Sequence, residues 1–239
     1  MSIFKPNQSY LKENLTIVIP CKNEGVGLAT TLIKVLAYHD CNVIVADSSD
    51  DGTPTYLNTI NYLTNNYVKV VEGGLPAIAR NNGFKEVNTP YVLFLDADMD
   101  ISKLPLEDML KTIIDKDIKL ATCDITTWKW KYALIYKFFY YIQRLISFKT
   151  PFAVGGFMLF NSEYFEKLGK FNEDDKFAED YHISMKVSPK HFKIFNYKIH
   201  TSDRRLKNKG LWYMVKLMTK CWFNKHNDEF YKQDYNYWK

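Results

Sequence analysis

The feature that most constrains this chain is a unit repeated along its first hundred residues: a short, continuously apolar run, a polar loop, and a segment with helical apolar spacing. Leu15 to Ile19 ends at Pro20, and Val26 to His39 follows with Leu28, Leu32, Val35 and Leu36 on one helical face. Asn42 to Ala46 then reads as strand and Thr53 to Leu63 as helix; Tyr67 to Val71 as strand and Leu75 to Val87 as helix; Tyr91 to Leu95 is a fourth apolar strand. A strand wetted on one side alternates polar and apolar residues. These do not, so both faces are covered, as in a parallel sheet sandwiched by helices. The expected class is α/β, an open, mostly parallel sheet flanked by helices.

The second half continues less regularly. Lys119 to Ile125 reads as strand, about Lys131 to Phe148 as an aromatic-rich helix, and Phe157 to Phe160 as an apolar strand after Gly155-Gly156. A short helix is expected over Ser162 to Leu168 and another opening near Glu179. Phe192 to Tyr197 and Ile199 to Ser202 are short strands, and Leu211 to Phe223 is a terminal helix.

With 239 residues, 46% of them apolar and 25% charged, the chain can bury one sizeable core and is not generally disordered. No Pro, Gly or Ser-rich linker divides it, and no repeat of 20 to 50 residues suggests a solenoid or propeller. A single domain is expected, with a first half over about 13–125, a second over about 126–205, and a terminal helix and loosely attached tail over about 206–239. Cys21, Cys41, Cys123 and Cys221 form no CxxC pair, which signals neither a zinc framework nor a disulfide scaffold. Reduced cytosolic thiols are expected, and the sequons at Asn7 and Asn14 then carry no meaning. Met1 to Lys12 lacks a long apolar stretch, so a secretory signal is not expected, and no apolar run reaches the roughly 18 residues of a spanning helix. The net charge of +5 is modest, and Arg occurs only at 80, 144, 204 and 205. Nucleic-acid binding would call for a denser basic stripe.

In open α/β sheets ligands bind beyond the carboxyl ends of the strands. Those positions hold Pro20-Cys21-Lys22-Asn23-Glu24, Asp47-Ser48-Ser49-Asp50-Asp51-Gly52-Thr53, Glu72-Gly73-Gly74 and Asp96-Ala97-Asp98. No Gly-x-Gly-x-x-Gly follows the first strand and no Gly-x-x-x-x-Gly-Lys-Ser/Thr occurs, so dinucleotide and P-loop sites lose their main support. Asp96 and Asp98, one residue apart after a buried strand, can share a hard divalent cation such as Mg²⁺ or Mn²⁺, or accept from a ribose. An Asp-x-Asp is also an ordinary turn or helix cap.

Six segments in order resemble the family 2 nucleotide-sugar glycosyltransferases of the GT-A fold. They are Ile19-Pro20-Cys21-Lys22-Asn23-Glu24, the Asp47-x-Ser49-x-Asp51-Gly52-Thr53 loop, Ala79-Arg80-Asn81-x-Gly83, Leu95-Asp96-Ala97-Asp98, Gly155-Gly156-Phe157 and Phe177-x-Glu179-Asp180. The resemblance spans roughly residues 15 to 205. It implies a GT-A fold, a nucleoside diphosphate sugar donor (UDP- or GDP-linked) and a bound Mn²⁺ or Mg²⁺. It also implies that Pro20, Asn23, Glu24, Asp47 and Asp51 line the base and ribose pocket, where carboxylates accept from ribose hydroxyls and uracil N–H groups. An Asx turn before the Thr53 helix is the plainer role for Asp47 and Asp51. One departure is Ser48, where many relatives carry a second Asp.

In the family the Asp of the Glu179-Asp180 pair is the general base, with Glu179 placed to help bind or orient the acceptor. An alcohol needs such a carboxylate because its proton must go somewhere as it attacks. Acidic residues in a first helical turn also serve simply as dipole partners. Arg80 could reach the nucleotide or its diphosphate through charge-assisted bonds, or sit on a helix surface. Some GT-A enzymes complete the metal shell with a late His, here His200, and a basic pair such as Arg204-Arg205 can neutralise the leaving diphosphate; an ordinary His and a solvated pair are the alternatives. Gly155 and Gly156 let backbone approach the sugar or acceptor closely, unless they are a plain turn.

Trp128-Lys129-Trp130-Lys131 and the aromatics of residues 132–148 suit a membrane interface, as does the amphipathic helix with Leu211, Val215, Met218 and Trp222 on one stripe. Both could rest on lipid and present a polyprenyl-phosphate or glycolipid acceptor; core packing or a homodimer interface is the alternative. The expected location is cytoplasmic, with peripheral contact on the inner membrane face. The function expected is a metal-dependent, inverting hexosyltransferase. Its rival is a scaffold that keeps the fold and nucleotide affinity without turnover, against which Asp96, Asp98, Glu179 and Asp180 count.

Overall fold

Seven strands make one sheet in the order β3-β2-β1-β4-β6-β5-β7. In chain order they are β1 (Leu15–Cys21), β2 (Asn42–Asp47), β3 (Val68–Glu72), β4 (Tyr91–Leu95), β5 (Leu120–Thr126), β6 (Phe157–Asn161) and β7 (Phe192–His200). This computed structural model describes residues 9–64 and 67–233.

β1 to β4 are mutually parallel. β1, β2 and β4 are the buried apolar runs expected of a covered parallel sheet, while β3, at the sheet edge, leaves Lys69, Val70 and Glu72 exposed, so that strand is not covered on both faces as expected. Successive side chains alternate between two cores. Ile17, Ile19, Val43, Val45, Leu93 and Leu95 belong to one, while Val18, Ile44, Val92 and Phe94 belong to the other. The helices Gly25–Tyr38, Thr53–Leu63 and Pro76–Phe84 connect these strands. β6 reverses direction, antiparallel to both β4 and β5, while β5 and β7 pair in parallel. The reversal sets the start of β6 beside the end of β4, with Leu95 opposite Phe157.

Three differences from expectation have physical causes. The two short strands at 192–202 are one strand, β7, whose register against β5 shifts between Cys123 and Asp124; the bulge breaks the apolar pattern. Helix Leu106–Asp115 was not expected, although it buries Leu106, Met109, Leu110 and Ile113 at helical spacing. The segment after Asn224 is not loose where described: Phe230 and Tyr231 pack on Phe177, Tyr181 and Cys221, with Tyr231 fully buried. Residues 234–239 of that expected tail lie outside the described residues. Among the described residues no helix is long and apolar enough to cross a membrane.

Candidate active site

At the carboxyl rim of β4 and β5 a cavity of about 160 Å³ is walled by Arg80, Asp96, Asp98, Gly155, Glu179 and Asp180, with Gly156 and Arg204 also on its wall. These residues come from five stretches of chain, and Arg80, Asp96, Gly155, Gly156, Glu179 and Asp180 bring four of the stretches together. What joins them is a closed circuit of hydrogen bonds.

Asp96, just past β4, donates its backbone N–H to the Gly156 carbonyl at 3.2 Å. Its side-chain Oδ1 accepts from Arg80 Nη2 at 2.8 Å, and the same Nη2 lies 3.3 Å from the Gly155 carbonyl oxygen. Arg80 Nη1 donates to Glu179 Oε1. The backbone N–H of Gly155 donates to Asp180 Oδ2 at 2.6 Å, which closes the circuit. Arg80, expected to reach the nucleotide or its diphosphate, is instead 2% exposed with both Nη atoms committed to these partners, and its guanidinium lies 5.5 Å from the Phe171 ring centroid. Burying this cation is tolerable because two carboxylates meet it.

The Ala79-Arg80-Asn81-x-Gly83 pattern is explained by what each side chain meets on the Pro76–Phe84 helix. Arg80 points to the cavity, and Asn81 exchanges bonds with the backbone of Phe171 at 2.8 and 3.2 Å. A Cβ on Gly83 would lie 2.3 Å from Val18 Cγ1, so only glycine lets the helix seat on β1. Gly155 has a similar need: a Cβ there would come 3.1 Å from both Arg80 Nη2 and Asp180 Oδ2.

Glu179 and Asp180 open the short helix Glu179–Ser184, and Ala178 before them is held left-handed at φ 53° and ψ 30°. A non-glycine residue there is strained, a cost the surrounding packing must hold in place. Asp180 Oδ1 accepts from the Tyr181 N–H at 2.7 Å. Burial, and then the neighbouring Glu179 charge, push the Asp180 carboxyl up to about 6, against the pull of Arg80 and the two backbone amides.

Asp98 faces the same cavity and accepts from Ser202 Oγ at 2.5 Å and Thr201 Oγ1 at 3.2 Å. His200, expected as a third metal ligand, does not join it. Its ring stacks on Trp128 with centroids 3.6 Å apart, and burial lowers its pKa. The reason is alternation at the end of β7: Thr201 turns to Asp98, so His200 faces the other way. Among the described residues no cluster of three or more His, Cys, Asp or Glu could hold a metal by itself. The oxygen-only set still suits Mg²⁺ or Mn²⁺, which commonly take one or two carboxylates and complete their shell with phosphate oxygens and water.

The residues expected around the base and ribose gather at the ends of β1 and β2, outside the wall of that cavity. Asn23, left-handed at φ 56°, donates from Nδ2 to Asp50 Oδ1 at 2.7 Å and accepts from the Asp50 N–H at 3.0 Å. Asp47 accepts from the Ser49 N–H at 3.1 Å and also from Ser49 Oγ at 2.6 Å, and Asp51 accepts from the Thr53 N–H at 2.8 Å, the two backbone bonds making Asx turns. Pro20 is the penultimate residue of β1. Glu24 forms a two-pronged ion pair with Arg204, at 2.6 and 3.1 Å, that ties this rim to the segment after β7. The Arg205 side chain lies outside the described structure.

Sequence reasoning assigned no role to Thr201 and Ser202, which carry no motif and are found only through β7 ending opposite Asp98. Tyr136 and Phe139 on the Trp130–Ser147 helix, and Met214 on the Leu211–Phe223 helix, complete the wall.

An α/β sheet of this order with acidic groups at its rim has the GT-A architecture, and solved structures similar to it bear that out. A mannosyltransferase from Pyrobaculum calidifontis, in complex with GDP-mannose and Mn²⁺, superposes with a TM-score of 0.65 at 20% identity, over 90% of this chain and 65% of its own. TarS from S. aureus in complex with UDP-GlcNAc gives 0.58 at 18%, over 77% and 56%; GalNAc-T7 with UDP, GalNAc and Mn²⁺ gives 0.60 at 19%, over 81% and 44%. At such identities the likeness is one of fold, and the chain spans less than two thirds of each of these three proteins. The profile described as Glycosyl transferase family 2 matches residues 16–169, and the chain belongs to that family. No curated protein sequence matches it.

Proposed function

We propose that this chain transfers a sugar from a nucleoside diphosphate donor to an acceptor hydroxyl or phosphate with inversion, assisted by a divalent cation. The observation that carries the reading is the hydrogen-bond circuit that holds Asp96, Glu179 and Asp180 about one cavity that Asp98 also lines. The family membership and the donors held by the three similar structures support the donor class.

The cavity has room for the sugar and diphosphate end of a donor rather than all of it, since sites enclosing a whole ligand run from about 300 Å³ upward. The nucleoside then lies along the ends of β1 and β2, beside Asn23, Glu24, Asp47 and Asp51. Asp98, with Asp96 beside it, would hold Mn²⁺ or Mg²⁺ against the diphosphate. That ion supplies charge stabilisation of the leaving group when bound. Asp180, raised toward neutrality, accepts the proton of the acceptor oxygen as that oxygen bonds to the anomeric carbon. The bond to the diphosphate breaks with its electron pair leaving on the phosphate oxygen. Glu179 and Arg80 position Asp180 rather than react.

The test is release of UDP or GDP from nucleotide sugars with Mn²⁺ and an acceptor extract. Asp180→Asn should lower release by about 10²–10⁴ while retaining donor binding, and Asp98→Ala should raise the Mn²⁺ concentration required. Donor binding without release in the parent chain would instead favour a nucleotide-sugar-binding scaffold.

A further inference from the structure

The Trp130–Ser147 helix has two unlike faces. Tyr136 and Phe139 point to the cavity, and Gln143 and Ser147 are buried behind them. At ~100° per residue, Trp130, Leu134, Phe138, Tyr141, Leu145 and Phe148 fall within an arc of about 80° on the opposite side. All six are 59–79% exposed. Water-facing helices do not carry such stripes without a partner. Lys131, Lys137 and Arg144 border the stripe. The Leu211–Phe223 helix, which also walls the cavity through Met214, leaves Trp212 and Phe223 about four-fifths exposed.

Charge identifies what covers this face. Segments 128–150 and 204–226 hold twelve of the chain's 32 Lys and Arg residues and none of its 27 Asp and Glu, so the rest of the molecule is net negative. A second copy docking through the same face would set cations against cations. An anionic bilayer offers an apolar interior beneath a negative surface, matching both features, and aromatic residues beside Lys favour the headgroup level.

We propose that the exposed stripe of the Trp130–Ser147 helix, with the cationic segment 204–226, is a docking surface for an anionic membrane. The helix reads lipid on one side and walls the cavity on the other, so docking holds the cavity within a helix diameter of the headgroups. That the acceptor is a lipid-linked phosphate or sugar follows only if the transferase reading holds; docking itself does not depend on it.

The experiment is vesicle flotation of the full chain, without donor, using phosphatidylcholine alone and phosphatidylcholine with phosphatidylglycerol. At least about tenfold more chain should float with the anionic vesicles. Leu134→Ser/Phe138→Ser/Leu145→Ser should abolish flotation while keeping the parent's melting temperature and donor binding. Equal flotation by this variant, or no flotation of the parent, overturns the proposal. A lipid-free dimer that the same substitutions dissolve overturns it as well, assigning the face to self-association.

Discussion

Arg80→Met tests the circuit at its most connected point. Arg80 and Glu179 are 2% and 4% exposed, so the substitution leaves a carboxylate buried with no counter-charge. Breaking such a pair from one side costs about 3–5 kcal/mol. At about 2–4 °C per kcal/mol for a chain of this size, the melting temperature should fall by roughly 6–20 °C. The second consequence is electrostatic. Arg80 holds the Asp180 carboxyl down, so without it the carboxyl titrates above its present value of about 6, and the acid limb of the transfer rate moves to higher pH. Adding Glu179→Gln removes the stranded charge and should restore most of the lost stability, a coupling that only direct neighbours show. Calorimetry of the four proteins and a pH profile of transfer decide it. A melting temperature within 2–4 °C of the parent, about 1 kcal/mol, with an unmoved acid limb, would refute the claim that this ion pair organises the site.

The remaining predictions are shorter. With Asp180 as an ionised base of pKa about 6, transfer should fall about tenfold per pH unit below that value and level off above it; a rate constant from pH 5 to 7 would exclude the assignment. Gly155→Ala puts a Cβ 3.1 Å from Arg80 Nη2 and Asp180 Oδ2, so transfer should be lost at a stability cost of about 1–3 kcal/mol, with donor binding retained, measured by titration against nucleotide sugars. Tyr231→Ala, near the end of the chain, should destabilise by about 3–5 kcal/mol in denaturant unfolding, because Tyr231 is fully buried against Phe177 and stacked on His182 at 4.4 Å.

β1, β2 and β4 were legible because each is apolar on both faces, and Tyr91–Leu95 and helix Thr53–Leu63 match their expected ends. That the carboxylates at 96, 98, 179 and 180 share one cavity was expected from the family pattern, but the means was not. The circuit runs through the backbone of Gly155 and Gly156, and no residue-type pattern reports where a peptide group donates. The ion pairs of Arg80 were not legible for a related reason. A charged side chain on a helix suggests solvent or ligand until its carboxylate partners, Asp96 and the far more distant Glu179, are known to converge on it. His200 stacks on Trp128 while Thr201, one position on, meets Asp98, an alternation that residue types alone do not report.

The reversed direction of β6 has a mechanical consequence. Because that strand enters the sheet where β4 leaves it, the residue whose N–H anchors Asp180 and the residue whose carbonyl anchors Asp96 are consecutive, Gly155 and Gly156. Slipping β6 by a single residue against β4 would turn its side chains inside out and carry both anchors away together. Asp96 and Asp180 are thus hinged on one pair of glycines, and neither can drift without taking the other along.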